Sequence, residues 1–103
     1  MSRFVVHPAA SLEINEIWEF IAAENLNAAD RILDELRESF EKLADLPEMG
    51  FRREELTSKP LRFFPVRDFL IVYAPEEKPL LVVAVLHARR NPRVLAAVLR
   101  ERK

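Results

Sequence analysis

Two stretches in the C-terminal half of the chain, residues 69–74 and 80–86, are apolar at odd and even positions alike. Because successive side chains of a β-strand point to opposite faces, such strands present apolar side chains on both faces of a sheet. A sheet built from them needs cover on both faces. The rest of the chain must therefore supply two covering layers, and this requirement restricts the possible folds more than any other feature of the sequence.

The N-terminal half predicts the first covering layer. Residues 3–7, RFVVH, have the β-branched and aromatic content of a short strand. Pro8 suits the first position of a helix, where its missing N–H costs nothing. A helix is predicted to follow, because apolar residues recur at the i, i+3, i+4 and i+7 spacing of one helical face. The residues of this stripe are Ile14, Ile17, Trp18 and Ile21.

A second helix is predicted after the break at residues 24–30, ENLNAAD. Asn27 is a suitable N-cap, and Asp30 complements the positive end of the helix dipole. Pro47 and Gly50 mark the end of this helix. Its apolar stripe consists of Ala29, Ile32, Leu33, Leu36, Phe40 and Leu43. Because so short a segment connects the two helices, we expect an antiparallel hairpin.

From residue 61 the periodicity changes to that of strands. The runs LRFFPV, FLIVYA and LLVVAVLHA are separated by Arg67-Asp68 and by PEEKP, so a three-stranded meander is predicted. Asn91 and Pro92 then predict the N-cap and first residue of a tail helix. Since that helix has only about 11 residues, we expect it to cover the second sheet face incompletely or to detach. Either outcome would leave an apolar groove that a partner fills.

The element order β-α-α-β-β-β-α predicts an α+β fold, in which a helical hairpin packs on a small antiparallel sheet. The chain has 103 residues, half of them hydrophobic. We expect one domain over residues 1–103, because two halves would each be too small to bury a core of their own.

Composition excludes several classes of site. The chain has no Cys, so it can form neither a disulfide framework nor a thiolate metal site. Its two His are too few and too far apart in the sequence to indicate a metal site. With one Gly, a glycine-rich phosphate loop is impossible, and no cofactor is expected. Because we find neither a secretory apolar core nor a membrane span, we expect a cytoplasmic protein without a membrane partner.

Charge is distributed unevenly along the chain. Residues 1–58 carry 6 Lys and Arg against 13 Asp and Glu, a net charge of −7, whereas residues 59–103 carry 10 against 4, a net charge of +6. Arg89, Arg90 and Arg93 lie where the last apolar run meets the tail helix, whose N-terminus is itself partly positive. An anionic or acidic partner would explain this placement, and charge that merely solvates the surface is the alternative.

The sequence resembles toxins of the bacterial ParE/RelE superfamily over nearly its whole length. The resemblance rests on VVHPAASLEINEIWEFIAAENLNAADRILDEL, on FEKLADLPEMGFRREEL and on LRFFPVRDFLIVYAPEEKPLLVVAVLHARRNP. Within the superfamily the ParE branch is the most similar, in INEIWEFIAAENLNAAD, LPEMG and VLHARRNP.

This resemblance implies the toxic, growth-inhibiting half of a type II toxin–antitoxin pair. ParE-like toxins are understood to inhibit DNA gyrase, and a cognate antitoxin, ParD-like or similar, neutralises the toxin by wrapping it. RelE-like relatives with the same fold instead cut messenger RNA in the ribosome, and a member that keeps antitoxin binding without toxicity is a third alternative. The oligomeric state stays open between a dimer and a toxin–antitoxin hetero-oligomer.

A ribonuclease would need a base, an acid and cations around the phosphate. The residues available for these tasks are His87, Arg67, Arg89 and Tyr73. They match RelE-like nucleases only loosely and contain no convincing acid–base pair. A structural histidine, bonded to a backbone carbonyl, is the other interpretation of His87. A pI near 6.1 also disfavours docking against ribosomal RNA.

We therefore expect a protein that acts by binding and not by catalysis. The predicted target-binding residues are Arg89, Arg90 and Arg93. The antitoxin would cover the apolar face that the tail helix leaves bare, as a segment that folds on binding. The residues predicted to contact it are Trp18, Leu81, Val83, Val85 and Leu95.

Overall fold

The computed structural model of the protein describes residues 3–102. These residues form the predicted order of elements and confirm the α+β fold class. The elements are β1 Phe4–Val6, α1 Pro8–Ala22, α2 Leu26–Asp45, β2 Arg62–Val66, β3 Phe69–Ala74, β4 Leu80–His87 and α3 Pro92–Glu101. None of the described helices is long and apolar enough to cross a membrane.

The four strands form one mixed sheet in the order β1-β4-β3-β2. Strands β2, β3 and β4 make the predicted antiparallel meander, whereas β1 pairs in parallel with β4. The register shifts within β3–β4, since Val72 pairs with Ala84 but Tyr73 pairs with Val82, so that Val83 is an extra residue in β4. Strand β1 ends at Val6, opposite Val82, while β4 continues to His87.

Helices α1 and α2 cover one face of the sheet, as predicted. The buried side of α2 consists of Ala29, Ile32, Leu36, Phe40 and Leu43. The predicted N-cap at Asn27 is wrong, because α2 begins earlier, at Leu26. The side chain of Asn25 accepts a hydrogen bond from the Ala28 N–H at 3.0 Å, and its backbone carbonyl accepts one from Ala29. The extended backbone at Asn25 makes it the cap, so the helix begins two residues earlier than an Asn27 cap would allow.

The prediction that the tail helix leaves the second face bare is wrong. Leu95 and Leu99 of α3 are buried against β3 and β4, and Leu56 and Leu61 from the segment before β2 complete the layer. Each buried leucine stabilises the fold by roughly 1.5–3 kcal/mol relative to exposure. A helix as short as α3 therefore stays docked because of its packing and not because of its own helical propensity.

A lysine from the segment before β2 fastens the C-terminal end of α3. The ammonium of Lys59 donates hydrogen bonds to the backbone carbonyls of Leu99, at 2.8 Å, and of Arg102, at 2.5 Å. The carbonyls at a helix C-terminus have no partner within the helix, so a cation there satisfies them. Detachment of α3 would break these bonds as well as expose two leucines.

A buried tyrosine links the sheet to the loop after α2. Tyr73 is 0% exposed, and its hydroxyl donates to the carbonyl of Pro47, at 2.6 Å, and accepts from the Gly50 N–H, at 2.8 Å. A Cβ on Gly50 would lie 2.5 Å from that hydroxyl and 2.7 Å from the carbonyl of Phe63. Only glycine permits this approach, so Gly50 does more than end a helix.

We expect Gly50→Ala to lower the free energy of unfolding by about 2–3 kcal/mol, because the added methyl group forces the loop away from Tyr73. Tyr73→Phe should cost about 1–2 kcal/mol, since it leaves two buried backbone groups without a partner. The double variant should cost less than the sum, because removal of the hydroxyl relieves the shortest of the three close contacts, the others being with the Phe63 carbonyl and with Cε1 of Tyr73. Urea denaturation of the four proteins measures this, and strict additivity would contradict the proposed contact.

Candidate interaction site

The three predicted target-binding arginines lie at exposed positions between the end of β4 and the first turn of α3. Within residues 3–102, none of the guanidinium groups of Arg89, Arg90 and Arg93 forms an ion pair with a carboxylate. The Asn91 side chain caps α3 by accepting a hydrogen bond from the Arg93 N–H at 2.8 Å. Because the helix N-terminus is also partly positive, this short segment concentrates positive charge that acidic groups would neutralise.

His87 holds the turn that carries these arginines. Its Nδ1 accepts a hydrogen bond from the Arg89 N–H at 3.1 Å, and its ring packs edge-on against Phe69 with 5.5 Å between ring centroids. The imidazole thus accepts a hydrogen bond from a backbone N–H. The expectation that a structural His87 would bond to a backbone carbonyl is wrong in this respect. With Nδ1 as acceptor, the neutral imidazole carries its proton on Nε2. His87 is exposed at the end of β4, next to Arg89.

Arg67 is paired within the fold. Its guanidinium donates two hydrogen bonds to the carboxylate of Glu35, at 2.6 and 2.7 Å, and so joins the β2–β3 turn to α2. This hydrogen bonding lowers the pKa of the Glu35 carboxyl and raises the pKa of Arg67. Arg67 has a φ of 53°, a conformation that is rare outside glycine, and the two bonds to Glu35 hold its side chain in place. Its guanidinium would have to leave Glu35 to bind a phosphate in the same way.

The interpretation of Tyr73 as a base-stacking residue is wrong. The ring is fully buried, and Pro47 and Gly50 use the hydroxyl as donor and acceptor. Burial raises the pKa of the Tyr73 phenol. Of the four residues considered for a nuclease, Tyr73 is therefore absent from the surface and Arg67 is bonded to Glu35, whereas His87 and Arg89 are both exposed at the end of β4.

A groove of about 560 Å³ lies beside the arginines, between α1, the start of α2 and the ends of β3 and β4. Its apolar wall includes Ile17, Ile21, Ile32, Phe69 and Val85, together with Phe20, which is 79% exposed. Its polar lining carries both signs of charge, from Arg31, Arg67, His87 and Arg90 on one hand and from Glu13, Glu16 and Asp68 on the other. Sequence reasoning missed this groove, although a phenylalanine off the apolar stripe of α1 was a usable signal.

The residues predicted to contact the antitoxin do not form an exposed apolar face. Val83, Val85 and Leu95 are buried, because α1, α2 and α3 cover the sheet, and Leu81 is half-buried. Trp18 is half-buried as well, and its indole N–H donates to the carboxylate of Asp30 at 3.0 Å, which links α1 to α2. Of this set, Val85 lines the groove.

A family model described as the ParE toxin of the type II toxin–antitoxin system parDE matches residues 4–92. The chain belongs to the ParE toxin family. The match extends from β1 to the first residue of α3, so the helical hairpin, the whole sheet and the turn with Arg89 and Arg90 are features of a ParE-family domain. A search of curated proteins gave no match.

Membership of the ParE family identifies the chain as the toxin of a type II system, which implies an antitoxin partner. In this ParE-family fold, no group of three or more His, Asp or Glu side chains among residues 3–102 is arranged to hold a metal ion. The arginine-rich turn and the groove share Arg90, so the two features lie next to each other on the surface.

The buried phenol of this ParE-family protein should make its stability depend on pH in the alkaline range. Because the chain has one Tyr, tyrosinate absorbance reports on Tyr73 alone. The pKa of Tyr73 is raised in the folded state. Its contribution to the free energy of unfolding is therefore fully present below the unfolded-state pKa of about 10 and is lost as the pH rises through the folded-state pKa. We expect ionisation above pH ~10 and a parallel loss of stability that Tyr73→Phe removes. Ionisation at the ordinary pKa would contradict the buried position.

Proposed function

We propose that this ParE-family toxin inhibits DNA gyrase by binding it, and that a cognate antitoxin holds the toxin inactive. The observation that carries the binding mode is the set of three exposed guanidinium groups at the start of α3, which lack carboxylate partners in residues 3–102. Family membership supports the toxin role and the antitoxin partner.

The contacts of the other polar side chains favour binding over catalysis. Cleavage of RNA next to a 2′-hydroxyl needs a base for its proton and an acid for the leaving oxygen. Tyr73 is buried with its hydroxyl bonded on both sides, and Arg67 is bonded to Glu35. The Nδ1 of His87 accepts a backbone hydrogen bond. What is left at the surface is a cluster of cations beside one imidazole, which suits recognition of acidic groups better than proton transfer.

Arginine is well suited to such recognition. Its planar guanidinium binds carboxylates or phosphates through two parallel hydrogen bonds, and arginines are frequent among the residues that dominate interface energetics. The whole chain has a net charge of −1. The cluster of three arginines is sufficient to bind a protein or a protein–DNA target. Binding to ribosomal RNA would instead require Lys and Arg side chains to neutralise many phosphates.

We expect the purified protein to inhibit gyrase in a supercoiling reaction, and the triple variant Arg89→Ala, Arg90→Ala, Arg93→Ala to require about tenfold more protein, or still more, for the same inhibition. The matched control removes three other positive charges on exposed residues, through Arg37→Ala, Lys42→Ala and Arg100→Ala. This control should keep its potency, because it changes the net charge equally and leaves the arginine-rich turn intact.

The alternatives give different results in the same experiment. Messenger RNA cleavage in a translation extract, without any effect on gyrase, would replace the proposal by the ribosome-dependent endonuclease. Inactivity in both reactions, with the antitoxin still bound, would identify a non-toxic family member. A triple variant as potent as the wild type would exclude the arginine-rich turn as the working surface.

Replacement of the imidazole provides a second test. His87→Gln retains a side-chain oxygen that can accept the hydrogen bond from the Arg89 N–H, so we expect gyrase inhibition to stay within about threefold of the wild type. A nuclease that uses the imidazole for proton transfer would lose about a hundredfold or more of its rate. Dose–response curves for supercoiling and primer-extension rates in the extract measure the two activities. A large loss of gyrase inhibition in a folded variant would show that His87 itself contacts the target.

A further inference from the structure

Helix α3 is attached to the sheet by a small apolar contact. Its buried residues are Leu95 and Leu99, which lie four positions apart in one row along the helix and pack against β3 and β4. Apolar burial is not directional. The two leucines therefore hold α3 on the sheet but fix its rotation about its own axis only weakly.

A buried ionic contact supplies the missing direction. The guanidinium of Arg102, directly after α3, donates two hydrogen bonds, of 2.9 and 2.7 Å, to the carboxylate of Glu13 in α1. It donates a third to the carbonyl of Val83 at 3.2 Å, and the Glu13 carboxylate accepts one from the Val85 N–H at 3.0 Å. Four hydrogen bonds thus join α1, β4 and the C-terminal end of α3.

The energetics of this pair indicate a geometric role. Among the ion pairs of residues 3–102 it is the least exposed, with 14% of the Arg102 side chain and 15% of the Glu13 side chain accessible. Removing two charges from water costs free energy that their attraction often only balances, so apolar replacements of buried pairs are frequently as stable. What the pair adds to apolar packing is orientation, because a planar guanidinium bound through two atoms to a carboxylate accepts a narrow range of geometries.

Lys59 binds the same end of α3 but does not supply this orientation. Its ammonium donates to the backbone carbonyls of Leu99 and Arg102. An ammonium is a compact charge with three rotatable donors, so its bonds tolerate a rotation of the helix that a guanidinium bound through two atoms does not. The rotation of α3 therefore depends on the contact between Arg102 and Glu13.

This rotation decides where Arg93 lies relative to Arg89 and Arg90. Arg93 belongs to the first turn of α3, whereas the other two arginines precede the helix. The turn that carries them is bound to the sheet, since the Ala88 N–H donates to the carbonyl of Asp68 at 2.8 Å. A helix with its side chains has a radius of about 5–6 Å, so a rotation of about 30° would move the Arg93 side chain by ~3 Å. Such a displacement is as long as a hydrogen bond.

We propose that Glu13 and Arg102 are positioning residues for the target-binding surface. By fixing the rotation of α3, they hold Arg93 in the one arrangement with Arg89 and Arg90 in which all three guanidinium groups bind the same partner. That this partner is gyrase belongs to the proposed function, on which this part of the inference rests. The rotation of α3 is measured without gyrase, so either proposal can fail without the other.

Energy transfer measures the orientation of α3. The chain has one Trp and no Cys, so one introduced cysteine defines a single donor–acceptor pair. The donor is Trp18, whose indole N–H is bonded to Asp30. The acceptor is a dye attached at Val94→Cys, an exposed position in the first turn of α3. Time-resolved fluorescence then gives the distribution of distances between α1 and the start of α3.

The test variant combines Glu13→Met with Arg102→Met in the labelled protein. It should widen the distance distribution by about twofold or more, because the contact that limits the rotation is gone. The matched control, Arg100→Met with Glu101→Met, removes the same two charges from exposed residues at the same end of α3 and should leave the distribution unchanged. Equal widths for the test variant and the labelled parent would overturn the proposal.

The unlabelled variants separate positioning from stability. The test variant should keep a urea midpoint at least equal to that of the wild type, since apolar side chains replace a buried charge pair, and yet require about fivefold more protein to inhibit supercoiling. Arg102→Lys retains the charge without the planar geometry and should also lose potency several-fold. Wild-type potency of either protein, or a loss that follows a loss of stability, would contradict a positioning role. A wild-type protein without effect on gyrase would instead refute the proposed function, and the distance measurement would still decide the rotation of α3.

Discussion

The fold depends on the need to keep water from both faces of β3 and β4. One face is covered by the long apolar side of α2 and by α1, and the other by α3 together with Leu56 and Leu61. Because α3 is short, its position depends on Leu95 and Leu99 in the core and on Lys59 at its C-terminal end. The turn between β4 and α3 is thereby fixed at the rim of the sheet, where Arg89, Arg90 and Arg93 are exposed.

Apolar periodicity was sufficient to predict the order of helices and strands, because it is a local property of the chain. The sequence was ambiguous where two residues could serve the same purpose, as with Asn25 and Asn27 at the start of α2. It was misleading for the second sheet face, because the cover there includes a segment without helical or strand periodicity. Leu56 contributes to that cover, and only the three-dimensional structure brings it into one core cluster with Leu95 and Leu99.

Site residues were easier to predict the closer they lie to one another in the sequence. The arginines of the β4–α3 turn are near neighbours in the chain, so their clustering was visible at once. The pairs Arg67–Glu35 and Tyr73–Gly50 join residues from distant segments. The first engages the guanidinium of Arg67, and the second holds the phenol of Tyr73 in the core. These long-range contacts involve two of the residues considered for a nuclease, and no spacing rule would have shown them. Phe20 is a residue outside every predicted stripe, and yet it lines the groove beside the arginines.

Helix α3 links the arginine-rich turn to the core. It carries Arg93 in its first turn, and Leu95 and Leu99 pack it against the sheet. Beyond its last turn, Lys59 binds the carbonyls of Leu99 and Arg102, and the Arg102 guanidinium binds the carboxylate of Glu13 in α1. The position of the cations at one end of α3 therefore depends on contacts along the whole helix. Because coupling between two binding events is reciprocal, any ligand that shifts α3 would alter the affinity for a target at the arginines by the factor with which that target alters the binding of the ligand.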